Sequence, residues 1–497
     1  MPDQHPPALF RPRFESAAQG SAPTGGLGRQ RTLATSLPAI LLTAILLLCS
    51  GSLEAVAQSP GEVPPQGHYA FTGVTVLPMD EDRTLTDQTV VVRDGRIVEM
   101  GPSASTSVPD GATPISGEGR YLIPGLAEMH AHVPPGQDPP REDIEETLFL
   151  YVANGITTIR GMLGAPYQIP LREEIREGRV LGPDFYVGAP SLNGNSAPTP
   201  EAADSLVRAH HDAGYDFLKI HPGVPLDAWN RMVEVAQEVG ITFGGHVPAE
   251  VGIRHAMATG MATVDHLDGF LEVTREEGAN LENPVERFRA TDQEALDELA
   301  QEIAGHEVWL VPTQYLWNHL FGYVDPDALL AEPEFRYISP ELRESYRERA
   351  LRNIENPDIT PESHRAHAEM RQEFLGAAHE AGARILMGTD SPQLFNVPGF
   401  ALHRELPLMV DAGMSPYEVL VSGTRAVAEY VEESLGQPGD FGTVAVGHRA
   451  HLLLLDSNPL DGLEALQDRA GVMVSGRWLP DDEIEARLEG IARRHGG

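Results

Sequence analysis

Lysine is almost missing from this chain. Of its 36 basic residues, 35 are arginine and one, Lys219, is lysine, set in the apolar run Asp216-Phe217-Leu218-Lys219-Ile220-His221. Arginine replaces lysine as a surface cation, but its guanidinium stays protonated and cannot supply a neutral amine for general-base, Schiff-base or carbamate chemistry. Lys219 is therefore a candidate for chemistry, weighed against a strand lysine paired to a carboxylate. Positive charge is scarce as well: 73 acidic residues give a net charge of −37. Such a surface repels phosphate backbones and anionic lipid, which excludes nucleic-acid binding. Cysteine occurs once, at Cys49, so neither a disulfide framework nor a thiolate zinc site is available. No 20 to 50-residue repeat is present, which excludes a solenoid.

Long apolar runs are missing too. The longest mostly apolar stretch, Leu37 to Cys49, has 13 residues, whereas a helix needs roughly 20 to cross hydrocarbon. Arg29 and Arg31 precede it and Ala55-Val56-Ala57 follows, the order of a secretory signal with a small-x-small cleavage site. Residues 1–57 read as leader and signal peptide, and the mature protein as exported, periplasmic or secreted. Lipid anchoring at Cys49 is the weaker reading, because Leu-Leu-Leu-Cys lacks the small residue expected before a lipidated cysteine.

What is present alternates strand and helix. Residues 69–101 read as short strands, with Asp94-Gly95 a hairpin signal between β-branched runs. From about residue 121 the pattern becomes strand, loop, helix, strand, with strands expected at 126–132, 155–160, 184–188, 216–221, 241–246, 262–266, 307–313 and 384–389. Thr199-Pro200 marks a helix start and Gly214 its stop. After about residue 440 the pattern is β again, ending in an amphipathic helix over about 481–494. This predicts an α/β fold: a (β/α)8 TIM barrel with a composite β-sandwich built from both ends of the mature chain. The expected divisions are 58–122 for the first part of the sandwich, 123–438 for the barrel, and 439–497 for the second part with its closing helix. Residues 315–365 read as an insertion able to cover a site.

Polar residues gather at the predicted strand ends. His130 and His132 are two apart and so share a face of the first strand. His246, His266 and Asp390 end later strands, and Lys219 ends the fourth. Imidazoles and a carboxylate converging on the C-terminal rim of a barrel suit zinc or a similar divalent ion. His221 shares a face with Lys219 and is a candidate substrate contact, against a structural hydrogen bond. Arg160 ends the second strand and is a candidate for a substrate carboxylate, against a salt bridge to a neighbouring loop. Gly244-Gly245 allow close approach of chain to site.

These motifs resemble the amidohydrolase superfamily, in particular its exported imidazolonepropionase-like and Xaa-Pro-dipeptidase-like branch. The similarity rests on LIPGLAEMHAH, NGITTIRGM, DFLKIH, FGGH, TVDHL, MGTDSP, HREL and FGTVAVGHRAHLLLLDSNPL. His451 departs from it, standing where an aspartate is usual. The resemblance implies that His130 and His132 hold one of two divalent ions, expected to be zinc, His246 and His266 the other, and that Lys219 bridges them as its carbon dioxide adduct, a carbamate. Asp390 would bind the first ion and, with Lys219, carry catalysis. The implied reaction is hydrolysis of a carbon–nitrogen amide bond in a dipeptide or N-acyl amino acid, a small-molecule substrate; a homo-oligomer is a candidate state of the chain. Two rivals stand beside it: a mononuclear enzyme that opens a cyclic amide or deaminates a ring, and a non-catalytic exported binding protein on the same scaffold.

Overall fold

The computed structural model describes residues 63–496. The leader, the Ala57 cleavage signature and Cys49 lie outside them. Five strands open the described chain: β1 (Tyr69–Val76), β2 (Leu85–Arg93), β3 (Arg96–Pro102), β4 (Thr113–Ser116) and β5 (Tyr121–Pro124). Eight follow with helices between them: β6 (Leu126–Ala131), β7 (Ile156–Gly161), β8 (Asp184–Val187), β9 (Phe217–Ile220), β10 (Thr242–Gly245), β11 (Thr263–Asp265), β12 (Trp309–Val311) and β13 (Arg384–Ile385). The last three are β14 (Leu452–Leu455), β15 (Arg469–Val474) and β16 (Arg477–Pro480), before the helix Asp481–Arg494.

β6 to β8 pair in parallel as one sheet and β9 to β13 as another. Backbone bonds cross both seams. Asp216 N–H reaches Val187 O at 2.9 Å and Ala189 N–H reaches Phe217 O at 2.8 Å, while Met129 and His132 donate to Met387 O and Ser391 O at 2.9 and 2.8 Å. The arrangement is TIM-barrel-like, with its ladder divided into two sheets. Left-handed residues beyond the strands, His266 (φ 66°) directly after β11 and Asp390 (φ 64°) five residues after β13, turn the chain where the site forms.

The two ends of the described chain do meet. Their strands form one eight-stranded sheet, in the order β16-β15-β14-β5-β1-β2-β3 with β4 beside β1. The strands expected to build the composite unit are hydrogen-bonded into this one continuous sheet, because β5 joins β1 on one side and β14 on the other. Phe71, Val90, Leu122, Leu452 and Met473 are fully buried in its own core cluster. His451, the departure from the family pattern, ties this sheet to the barrel: its Nε2 lies 3.1 Å from Asp184 Oδ2. Burial would raise the Asp184 carboxyl, but His451 and Arg449 outweigh it and hold it well below its ordinary range.

Local chemistry explains the helices that set the spacing. Thr199 Oγ1 accepts from Ala202 N–H, Pro200 starts the helix Pro200–Ala213, and Gly214 (φ 84°) ends it in the left-handed conformation that glycine adopts freely. The next helix, Leu226–Val239, buries Trp229, Met232, Val233 and Ala236 against the strands. The stretch expected as an insertion consists of helices, from Gln314–Leu320 to Pro361–Glu380. Among the described residues, no helix is long and apolar enough to cross a membrane.

Candidate metal centre

Six of the eight singled-out residues meet at one place. His130 lies in β6 and His132 just after it; Lys219 is in β9; His246, His266 and Asp390 follow β10, β11 and β13. His130, Lys219 and His266 are at most 1% exposed and Asp390 is 4% exposed. The imidazoles form a chain, with ring centroids 5.5 Å apart for His130 and His132, 4.5 Å for His130 and His266, and 4.4 Å for His246 and His266. His132 Nε2 is 2.6 Å from Asp390 Oδ1, and the other Asp390 oxygen is 3.8 Å from His266 Nε2. One ligand atom from each of His130, His266 and Asp390 fits within 4.8 Å. Lys219 Nζ is 3.4 Å from His130 Nε2.

The residues fit a divalent cation. His266 Nε2 is buried with no hydrogen-bond partner among the described residues, while its Nδ1 is engaged by Thr313 Oγ1 at 2.7 Å. A buried polar atom without a partner costs about 1–3 kcal/mol, and an imidazole nitrogen left open beside a carboxylate is a ligand position. Burial pushes His130 and His266 well below the ordinary histidine range, with neighbouring Lys219 and the other histidines adding to it. Both rings are thus neutral, the form that binds metal. Burial also pulls the Lys219 amine down, against the opposing pull of Asp265 and Asp390.

His221 joins the edge of the group. Its ring centroid is 5.2 Å from that of His246, and its Nδ1 is buried without a partner among the described residues. Arg160 does not reach the mouth. It is fully buried, with Nε donating to Met129 O at 2.7 Å and one terminal nitrogen donating to both Asp265 oxygens at 3.1 Å. Its expected role toward a substrate carboxylate is therefore corrected: the guanidinium is spent inside the strands, on a partner four strands away rather than on a neighbouring loop. The 315–365 region delivers Trp317, whose ring lies 5.8 Å from that of His266 and beneath the Arg371 guanidinium at 4.9 Å. Arg371 donates to His266 O and Pro312 O at 2.9 and 2.8 Å.

Four supporting residues escaped the reading of the sequence. Glu128 accepts from His130 N–H at 2.9 Å and from the Thr389 N–H and hydroxyl at 2.8 and 2.6 Å, binding the first strand to the last. Asp268 accepts from His246 Nδ1 at 2.8 Å. Asp265 Oδ2 is 2.9 Å from His130 Nδ1, and Thr313 orients His266. Partners of this kind fix which ring nitrogen faces a metal. All but Thr313 lie within two residues of a candidate ligand, and that adjacency was the available signal.

Fold and donor set together define a class: a TIM-barrel-like α/β scaffold presenting histidine and carboxylate ligands at its strand ends. Residues 121–479 match the amidohydrolase family, and the chain belongs to that family. Among curated relatives, adenine deaminase 3 of Rhizobium meliloti (strain 1021) is 26% identical over 220 residues, 40% of this chain and 34% of that protein. The chain thus matches about a third of that relative's length. A chain from Bifidobacterium longum described as a prolidase superimposes with a TM-score of 0.63 at 25% identity, covering 86% of this chain and all of the other. Bottromycin amidohydrolase gives a TM-score of 0.67 at 22% identity, over 90% of this chain and 95% of that one, a likeness of fold.

Proposed function

We propose that this chain is an exported, metal-dependent hydrolase that cleaves a carbon–nitrogen amide bond in a dipeptide or N-acyl amino acid. The observation that carries the reading is the buried, partnerless His266 Nε2 facing Asp390 within a group of three more histidines and Lys219. His130, His132 and Asp390 would hold one zinc ion, and His246 and His266 the other, on a closed barrel flanked by a sandwich. The division at 58–122, 123–438 and 439–497 and cleavage near Ala57 belong to the same proposal. When bound, two such ions supply the Lewis acidity that activates water near neutral pH and polarises an amide carbonyl.

Lys219 would bridge them. Burial pulls the amine down from its ordinary range, and its neutral form would add its lone pair to carbon dioxide, form an N–C bond and lose a proton to solvent, leaving an anionic carbamate with two oxygens. Asp390 is tied to His132 by one oxygen and directs the other toward His266. It is placed to take a proton from attacking water and return it to the leaving nitrogen, a role worth about 10²–10⁴ in rate. His221 stands at the edge of the group, where a substrate would touch it. The prolidase description of the Bifidobacterium longum chain supports a dipeptide substrate.

A second reading has its own support. The compact group His130, His266 and Asp390 leaves out His246, and the Rhizobium meliloti relative is an adenine deaminase. One ion and ring deamination would follow. Assay of the zinc-loaded protein against dipeptides, N-acyl amino acids, cyclic amides and aminopurines separates the two. Turnover of the first two groups is expected, turnover confined to the last two supports the rival, and silence throughout leaves a binding protein.

A further inference from the structure

Two fully buried charged residues belong to a network that no step of the proposed reaction uses. Arg160 and Asp265 are both fully buried. The Arg160 guanidinium spreads its donors over three elements: Met129 O in β6 at 2.7 Å, Thr263 Oγ1 and both Asp265 oxygens in β11 at 3.0 and 3.1 Å, and the Tyr430 hydroxyl at 3.3 Å. Its faces are covered by the rings of Phe217 and Tyr430, at 5.5 and 5.4 Å. Nothing of this cation is left for a ligand. Its reach ends one residue short of His130 on the backbone, and on Asp265 it ends 2.9 Å from the His130 ring.

The two nitrogens of that ring have different neighbours. Nε2 faces the amine of Lys219 at 3.4 Å, a donor, and Asp390 Oδ1 at 3.7 Å. Nδ1 faces Asp265 Oδ2 at 2.9 Å, an acceptor, although the oxygen lies off the line of a well-formed N–H bond. The separation is the firmer guide, because Asp265 carries charge and an oblique contact at 2.9 Å still favours a proton on the facing nitrogen. Both Asp265 oxygens lie 3.1 Å from one terminal nitrogen of a permanently charged guanidinium inside the fold, the arrangement of a carboxylate ion pair. Neutral imidazole carries one N–H, and a carboxylate on one side places it on that side.

We infer that Arg160 and Asp265 form a positioning pair that holds His130 with its proton on Nδ1 and its Nε2 lone pair turned into the metal centre. Arg160 holds both oxygens of Asp265 and so aims it, and through Met129 O it also fixes the backbone carrying His130. Neither residue touches substrate. The inference rests on the reading that His130 holds a metal ion, and it adds the reason a buried arginine sits on the second strand of a site that has no use for its charge.

Zinc affinity of the whole protein, measured by competition with a chromophoric chelator, tests it beside thermal unfolding of the metal-free forms. Asp265→Asn keeps the shape and removes the charge. It is expected to weaken zinc binding roughly 10–100-fold, the range for partners of metal-binding histidines. Arg160→Gln leaves the buried Asp265 with only the more distant Lys219 amine, 3.9 Å away, as a cation partner and is expected to lower the unfolding temperature as well. The double variant, Arg160→Gln with Asp265→Asn, removes that poorly paired charge; it is expected to recover stability without recovering zinc affinity. A purely structural pair would recover both together, and that result overturns the inference. So does wild-type zinc affinity in a folded Asp265→Asn variant. If the wild-type protein itself binds no zinc, the metal reading falls and takes this inference with it.

Discussion

His132 and Asp390 are 258 positions apart in the chain and meet at 2.6 Å, Nε2 to Oδ1. The contact closes the seam between the first and last parallel strands, where His132 N–H also bonds Ser391 O. The side chain proposed to move protons is therefore held by the residue that would bind the metal beside it.

Asp390→Asn keeps the volume and removes the proton acceptor. The zinc-loaded variant is expected to lose about 10²–10⁴ in kcat while unfolding as the wild type does. Steady-state kinetics on whichever amide the wild type cleaves checks this, and unchanged kcat would remove Asp390 from the proton path.

Gly245 lies against Lys219. A Cβ there would meet Ile220 O at 2.6 Å and Lys219 Cδ and Nζ at 3.0 and 3.2 Å, on a backbone with φ 125° that side chains rarely adopt. Gly245→Ala is expected to cost about 1–3 kcal/mol in backbone strain and to displace Lys219. A displacement of this order lowers kcat about 10²-fold. Thermal unfolding and kinetics measure the two effects separately.

The strand-end residues were legible because their signal is local. His130 and His132 are two apart, Lys219 is the lone lysine of the chain, and each remaining ligand follows a short apolar run bounded by turn residues. Arg160 was misread because its meaning is not local. Position on a strand shows that it points inward, but its partner Asp265 comes 105 residues later, and only the folded chain shows that the pair closes on itself. At the chain ends the β pattern of 69–101 and of the stretch after about 440 was visible, while β4, β5 and the pairing of β5 with both β1 and β14 were not. Glu405, in the HREL motif, ties elements of the fold together, accepting from the N–H groups of Gln314 and Tyr315 at 2.8 and 2.7 Å.

Burial raises the Glu405 carboxyl to about 7, against those two donors and Arg371. A raised carboxyl is protonated in the folded chain while the unfolded one has ionised, so its contribution is full below the ordinary value of 4.5 and is lost as pH climbs to about 7. His319 and His403, held near 4 by burial, act in the opposite sense between about 4 and 6.5, because the unfolded chain takes up their protons. The comparison that isolates Glu405 is wild type against Glu405→Gln. Between pH 4.5 and 7 the wild type is expected to lose, relative to the variant, on the order of 2–3 kcal/mol. Urea unfolding across that range reads it, and parallel curves would contradict the assignment.

The most direct test is a count of metal ions per chain, wild type against Lys219→Ala, after loading with zinc in bicarbonate buffer and removal of free metal. Two ions in the wild type and at most one in the variant, with activity restored by added short carboxylates, is the result predicted for a bridging carbamate. Equal metal content and equal amide hydrolysis in the two proteins would contradict it.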